Sequence, residues 1–274
     1  MASLLAFVSS LLWGTADFMG GVLSRRLRPI VVVFTMQIFG LAAITVFVLG
    51  TGSWQPGTFL WWGVAAGVTG VAGLVTFYSA LSAGTMGIIA PITSLGVLVP
   101  LIVGLVLGEQ PSTVQWLGIV GAIAGVVLAS GPELNGGAPV RPLLLALATA
   151  LLFGLSVTCM AQGSGESAAM TIFAMRVVQN VIGVGAFILW RGIPGVRLAD
   201  LPAIAAVGVT DVTANLVYGF AAGIGPLVLV AVLGSIYPLV TVVLGAVLLR
   251  ERLTLVQYVG VLLALAGAAA VSAG

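Results

Sequence analysis

Three ionisable side chains, Asp17, Arg176 and Asp211, fall inside stretches that are otherwise apolar. A charge is costly to hold in such surroundings, and one that is retained is a functional candidate. Two carboxylates and a guanidinium can grip the two ends of a zwitterion. A carboxylate can also pass a proton, which makes Asp17 and Asp211 the candidates for proton coupling. Structural readings stand beside these: an Arg176–Asp211 pair that locks two helices, and a snorkelling contact of Asp17 with Arg25, Arg26 and Arg28. Spacing adds neighbours to the cluster. Asp211 and Asn215 are four apart, and Asn215 and Tyr218 three apart, so on a helix they form one polar stripe. Lipid would leave that stripe unpaired, which turns it inward; polar residues that only join helices would give the same pattern. Trp13 sits in mid-stretch, away from both interfaces, and Tyr78 and Tyr237 are polar groups in apolar runs. The candidate substrate-binding set is therefore Trp13, Tyr78, Arg176, Asp211, Asn215, Tyr218 and Tyr237.

Other chemistry is excluded by what is missing. The chain has no His and no Lys, and Cys159 is its one cysteine. Without His, the commonest metal ligand and acid–base group is gone. No GxSxG elbow and no Walker motif occurs. No catalytic residue, metal site or cofactor is expected, and the chain is read as not an enzyme. A net charge of +2 is too small to suggest nucleic acid.

The elements that must position the three charges are membrane helices. The chain of 274 residues is 61% hydrophobic and only 6% charged, against about 25% charged in soluble domains. Ten apolar stretches of roughly spanning length lie between Ser3 and Ser272. The first is read as a transmembrane helix rather than a signal peptide, since no positive residue precedes it. Eight of the nine Arg lie in odd-numbered loops: Arg25, Arg26, Arg28, Arg141, Arg191, Arg197, Arg250 and Arg252. Positive residues favour the cytoplasmic side, so both termini are expected outside, in the periplasm of a Gram-negative cell, with the chain multi-pass in the inner membrane. Trp54, Trp61, Trp62, Trp116, Trp190 and Tyr258 near the ends of stretches suit the interfaces.

The chain also repeats itself. Glu109, Gln115, Gly118 and Gly125 recur as Glu251, Gln257, Gly260 and Gly267 at a constant spacing of 142 residues. Gly67-Val68-Thr69 recurs as Gly208-Val209-Thr210, and Leu11-Leu12-Trp13-Gly14 as Leu151-Leu152-Phe153-Gly154. Five crossings are an odd number, so the second copy must enter from the opposite face. The expected fold is an all-α membrane protein of ten transmembrane helices, as two inverted five-helix repeats over residues 1–135 and 136–274. Inverted repeats are a common plan of secondary transporters, with the solute site near the midplane between the copies. Glu109 and Glu251, with Ser112 and Thr254 close behind, are expected to cap helices. Glycine pairs such as Gly121 with Gly125 suit close helix packing.

Trp13-Gly14 in the first stretch, and Pro238 followed after twelve residues by Glu251 and then Gln257 and Gly260, resemble the EamA domain of the drug/metabolite transporter superfamily. The resemblance covers nearly the whole chain, one domain per half. It implies a ten-helix carrier, most similar to bacterial amino-acid exporters, including the aromatic amino acid branch. Two departures stand out. Gly96 occupies the place of Pro238 in the first half. A basic residue is usual in the second helix of each repeat, and Arg176 supplies it in the second half where the first has Gln37. The expected function is export of amino acids or similar small metabolites by alternating access. A multidrug efflux carrier and a structural membrane subunit are the alternatives. A small-molecule solute and the bilayer are the expected partners; the sequence leaves the oligomeric state open, a monomer being compatible with it.

Overall fold

An apolar segment in lipid must satisfy its backbone internally, and the helix does this within one segment. The computed structural model describes every residue except Arg25, 84–91, Ser94, 130–139, 190–194, 249–253 and Gly274. Arg25, Trp190, Arg191, Arg250, Glu251 and Arg252 therefore lie outside the described residues, as does the side chain of Tyr78. The helices are α1 (Ala2–Ser24), α2 (Pro29–Thr51), α3 (Phe59–Ala83), α4 (Leu98–Val106, entered through a 3-10 turn, Leu95–Val97), α5 (Thr113–Ala129), α6 (Val140–Leu189), α7 (Leu201–Ile224), α8 (Leu227–Gly234), α9 (Tyr237–Leu248) and α10 (Leu255–Ala273). Among the described residues, seven helical segments are long and apolar enough to cross a membrane, and Leu95–Val106 and Thr113–Ala129 are shorter apolar helices.

The sixth and seventh apolar stretches are joined without a loop. They form the single 50-residue element α6, interrupted only at Ser167, which is extended (φ −157°, ψ 103°). Straight, such a helix would be about 75 Å long, far beyond a hydrocarbon core of about 30 Å. It doubles back instead, and α3 shows this. Gly63 lies against Thr171 and Gly67 against Val178, while Gly70 lies beside both Ser156 and Gln179. Further along α3, Thr149 donates to Thr76 at 2.9 Å. In a straight helix Ser156 and Gln179 would be about 35 Å apart. Residues 140–166 and 168–189 are thus antiparallel limbs, both packed on α3. Ser167 restarts the helix as an N-cap, its Oγ accepting from the Met170 N–H at 3.4 Å.

The sequence repeat is also a repeat of contacts. A Cβ on Gly118 would strike the backbone of Val271, and one on Gly260 the backbone of Ala129. Likewise Gly125 lies against Ala264, and Gly267 against Ala122. Each pair maps onto the other at the 142-residue spacing, so α5 and α10 cross antiparallel through a self-complementary face of glycines. The same holds elsewhere: Gly67 touches the Met175 carbonyl and Gly208 the Met36 carbonyl. Without side chains at these points the backbones approach closely, and dispersion contacts replace the hydrophobic drive that lipid cannot supply.

Capping is reciprocal at both repeat-defining segments. Ser112 Oγ accepts from the Gln115 N–H (3.2 Å) while Gln115 Oε1 accepts from the Ser112 N–H (2.8 Å). Thr254 and Gln257 repeat the arrangement at 3.4 and 2.9 Å. Glu109 is consequently free for another task. Its carboxylate caps α8 in the other half, accepting from the N–H groups of Leu227 (2.5 Å) and Val228 (2.8 Å). Glu166, at the reversal of α6, caps α3 by accepting from the Thr58 hydroxyl (2.7 Å) and the Phe59 N–H (3.0 Å). Each carboxylate crosses between halves. At the other end, Arg26 pairs with Asp200 at 2.9 Å, just before α7. Glu109→Ala is expected to destabilise the protein by about 1–2 kcal/mol, because two helix-end N–H groups lose a charged acceptor. Thermal melting in detergent measures it, and an unchanged midpoint would show that the cap contributes nothing.

Candidate functional site

Arg176 lies on the second limb of α6, at the centre of a buried hydrogen-bond network. Its Nη1 donates to Oε1 of Gln37 on α2 and to Oε1 of Gln179 (3.2 Å). Its Nη2 donates to Oδ2 of Asp211 on α7 at 2.5 Å. Asn180 donates to the carbonyls of Gln37 (3.0 Å) and Arg176 (2.9 Å), which ties α2 to α6. Gln37 and Arg176 occupy corresponding positions of the two repeats and touch, so the pseudo-two-fold axis passes between them. The fold around that axis is symmetric but the charges are not. At the place of Asp211 the first half has Gly70.

This network forms one wall of a cavity of about 170 Å³. Asp17, Arg176, Asp211 and Asn215 line that wall, and Trp13, Phe153 and Tyr237 are among the residues that line the remainder. Asn215 is held in place by donating to the Asp211 carbonyl at 2.6 Å. The Trp13 ring stands 5.2 Å from Tyr218 and 6.3 Å from Tyr237 between ring centres. Beyond them a smaller cavity of about 60 Å³ shares Trp13, Phe153 and Tyr237 and adds Tyr218 and Ser235. Tyr218 is fully buried.

Of the residues singled out from sequence, Trp13, Asp17, Arg176, Asp211, Asn215 and Tyr237 meet at the larger cavity, and Tyr218 meets the smaller. Among the described residues Asp17 forms no ion pair with Arg26 or Arg28; it lines the cavity. Both the pairing of Arg176 with Asp211 and their place on the cavity wall hold at once. Sequence reasoning missed Phe153, Ser156, Gln179 and Asn180. Signals for three of them were present. Phe153 is the repeat counterpart of Trp13, and Gln179 and Asn180 lie three and four residues after Arg176, on its helix face. Nothing comparable pointed to Ser156, whose Oγ donates to the Ala66 carbonyl at 2.8 Å.

The model of the EamA-like transporter family matches residues 1–131 and 140–273. This chain belongs to the EamA-like transporter family. It is a multi-pass membrane protein of the drug/metabolite transporter superfamily, and the two matches are its two repeats. No curated protein matches it. A solved structure described only as "Crystal structure of protein" superposes with a TM-score of 0.81 over 98% of this chain and 95% of that one, at 21% identity. At that identity the likeness establishes the fold.

Proposed function

We propose that this EamA-like protein is a secondary carrier that exports amino acids, aromatic ones included, or similar small metabolites by alternating access. The observation that carries this reading is the polar cavity of Asp17, Arg176, Asp211 and Asn215, set between two halves whose contacts repeat. Counting the limbs of α6 separately and α8 with α9 as one span, the chain makes ten crossings as two inverted five-helix units. The Arg-bearing loops are cytoplasmic and both termini periplasmic, in the inner membrane. The cavity lies toward the Arg-bearing face, among the ends of α1, α2 and α7 that carry Arg26, Arg28 and Arg197. On the opposite face the carboxylates of Glu109 and Glu166 bind the halves together. This arrangement is a cytoplasm-facing state, and those two caps must open for release. A multidrug carrier is the second reading, favoured by the aromatic lining of Trp13, Phe153 and Tyr237.

Transport of labelled amino acids in proteoliposomes, compared between the parent and Asp211→Asn at two pH values, tests the proposal. Uptake by the parent, with its pH response lost in the variant, is expected. Uptake unaffected by the variant would remove Asp211 from coupling, and no uptake of amino acids or drugs would remove the carrier reading. A periplasm-dependent reporter fused after Gly274 is expected to be active; a silent one would reverse the orientation.

A further inference from the structure

The charged wall of the cavity presents its acids and hides its base. The Arg176 side chain is 2% exposed and that of Asp211 is 19% exposed. Asp17 is exposed and lines the cavity. Both Nη atoms of Arg176 are engaged by Gln37, Gln179 and Asp211, and its Nε is buried without a hydrogen-bond partner. A carboxylate entering the cavity therefore meets a guanidinium whose forked end is already taken up and whose one unpartnered N–H is buried out of its reach. An ammonium finds Asp17, which has neither a cation nor a hydrogen-bond donor among the described residues, and behind it the open edge of Asp211. Formal charges agree: two carboxylates share one guanidinium, and the surplus negative charge in a poorly solvated interior favours a cationic occupant.

The rest of the lining suits what such a cation would carry. Trp13, Phe153 and Tyr237 line the cavity with aromatic rings, a side-chain type that attracts an ammonium and covers an apolar body. A volume of about 170 Å³ is close to that of an engineered cavity, about 150 Å³, that accepts benzene. It holds one ring and a short arm. Past Trp13, the smaller cavity ends at buried Tyr218, whose hydroxyl has no hydrogen-bond partner. A buried hydroxyl ordinarily has one, so an occupant reaching that far would gain by a polar tip.

Building on the carrier reading above, we propose that the solute is a small organic ammonium with a single-ring or similarly sized apolar body, and that Asp17 is its counter-ion. Arylalkylamines, and amino acids whose carboxylate is masked or outweighed by a second ammonium, belong to this class. Simple zwitterions enter with one end unread.

Probes sharing one phenyl ring test this by tryptophan-fluorescence titration of the protein in nanodiscs: 2-phenylethylamine, phenylalanine, 3-phenylpropionate and 2-phenylethanol. The amine is expected to bind about tenfold more tightly than the zwitterion or the alcohol, and the anion not measurably. Asp17→Asn should reduce the amine to the level of the alcohol, with an unchanged melting midpoint reporting an intact fold. Asp17→Glu should keep most of the preference. Equal or tighter binding of phenylalanine or phenylpropionate, amine binding indifferent to Asp17→Asn, or no binding by any probe would each overturn the proposal. Counterflow in liposomes separates the two levels. Amine that binds through Asp17 but never moves would sink the carrier and leave the ligand class standing; phenylalanine that moves while the amine neither binds nor moves would do the reverse.

Discussion

Arg176→Met is expected to destabilise the protein by about 3 kcal/mol, the low end of what breaking a buried pair from one side costs. The low end applies because Asp211 keeps 19% of its side chain open to the cavity, so the stranded carboxylate is not wholly desolvated. The loss exceeds one ion pair, since Gln37 and Gln179 also lose their donor. Asp211→Asn in the same chain should recover part of the loss, because it removes the carboxylate that the first change strands. Arg176→Lys should recover little, because a single ammonium cannot serve three acceptors set around a planar fork. Melting midpoints of the four proteins in one detergent give the comparison. A double variant no more stable than Arg176→Met would show that the two side chains are energetically separate.

Gly125→Leu is expected to cost about 3 kcal/mol, at the upper end of what overpacking does. Its first side-chain atom would overlap the backbone of Ala264, and a backbone cannot swing away as a side-chain tip can. The helices α5 and α10 would have to part along their whole crossing. Because Gly267 meets Ala122 in the same way, Gly267→Leu should cost nearly the same. Gly185 has no heavy atom within 4 Å of such a position, so Gly185→Ala should be neutral or stabilising by up to about 1 kcal/mol from helix propensity. A large difference between the two leucine variants would break the equivalence of the halves; equal and small effects would mean that the glycine face is not tightly packed.

Much of this architecture was legible in the order of residues. A charge content of 6% left lipid as the surroundings, and apolar segments in lipid become helices because their backbone has no other partner. The recurrence of Glu109, Gln115, Gly118 and Gly125 marked two copies. It also marked a real contact, since glycine tolerates backbone approach and nothing larger does. Spacing of three and four put Asp211, Asn215 and Tyr218 on one face of α7. Burial of that face follows from the expense of an unpaired polar group in hydrocarbon.

Other features depended on which helix lies beside which, and spacing within one helix does not encode that. Glu109 was readable as a cap, but the helix it caps begins at Leu227, more than a hundred residues on. Glu166 gave no signal at all until the reversal at Ser167 brought it to Phe59. The departure at Gln37 looked like a missing charge; across the axis it is the acceptor for Arg176. Most consequential is the order of layers at the cavity. Sequence placed Asp17, Arg176 and Asp211 in the membrane as equals. Tertiary packing sealed the guanidinium behind its acceptors and left the carboxylates facing the space. Long-range packing decides which sign of charge the cavity shows, because a guanidinium buried behind its own acceptors is out of a ligand's reach while the carboxylates are not.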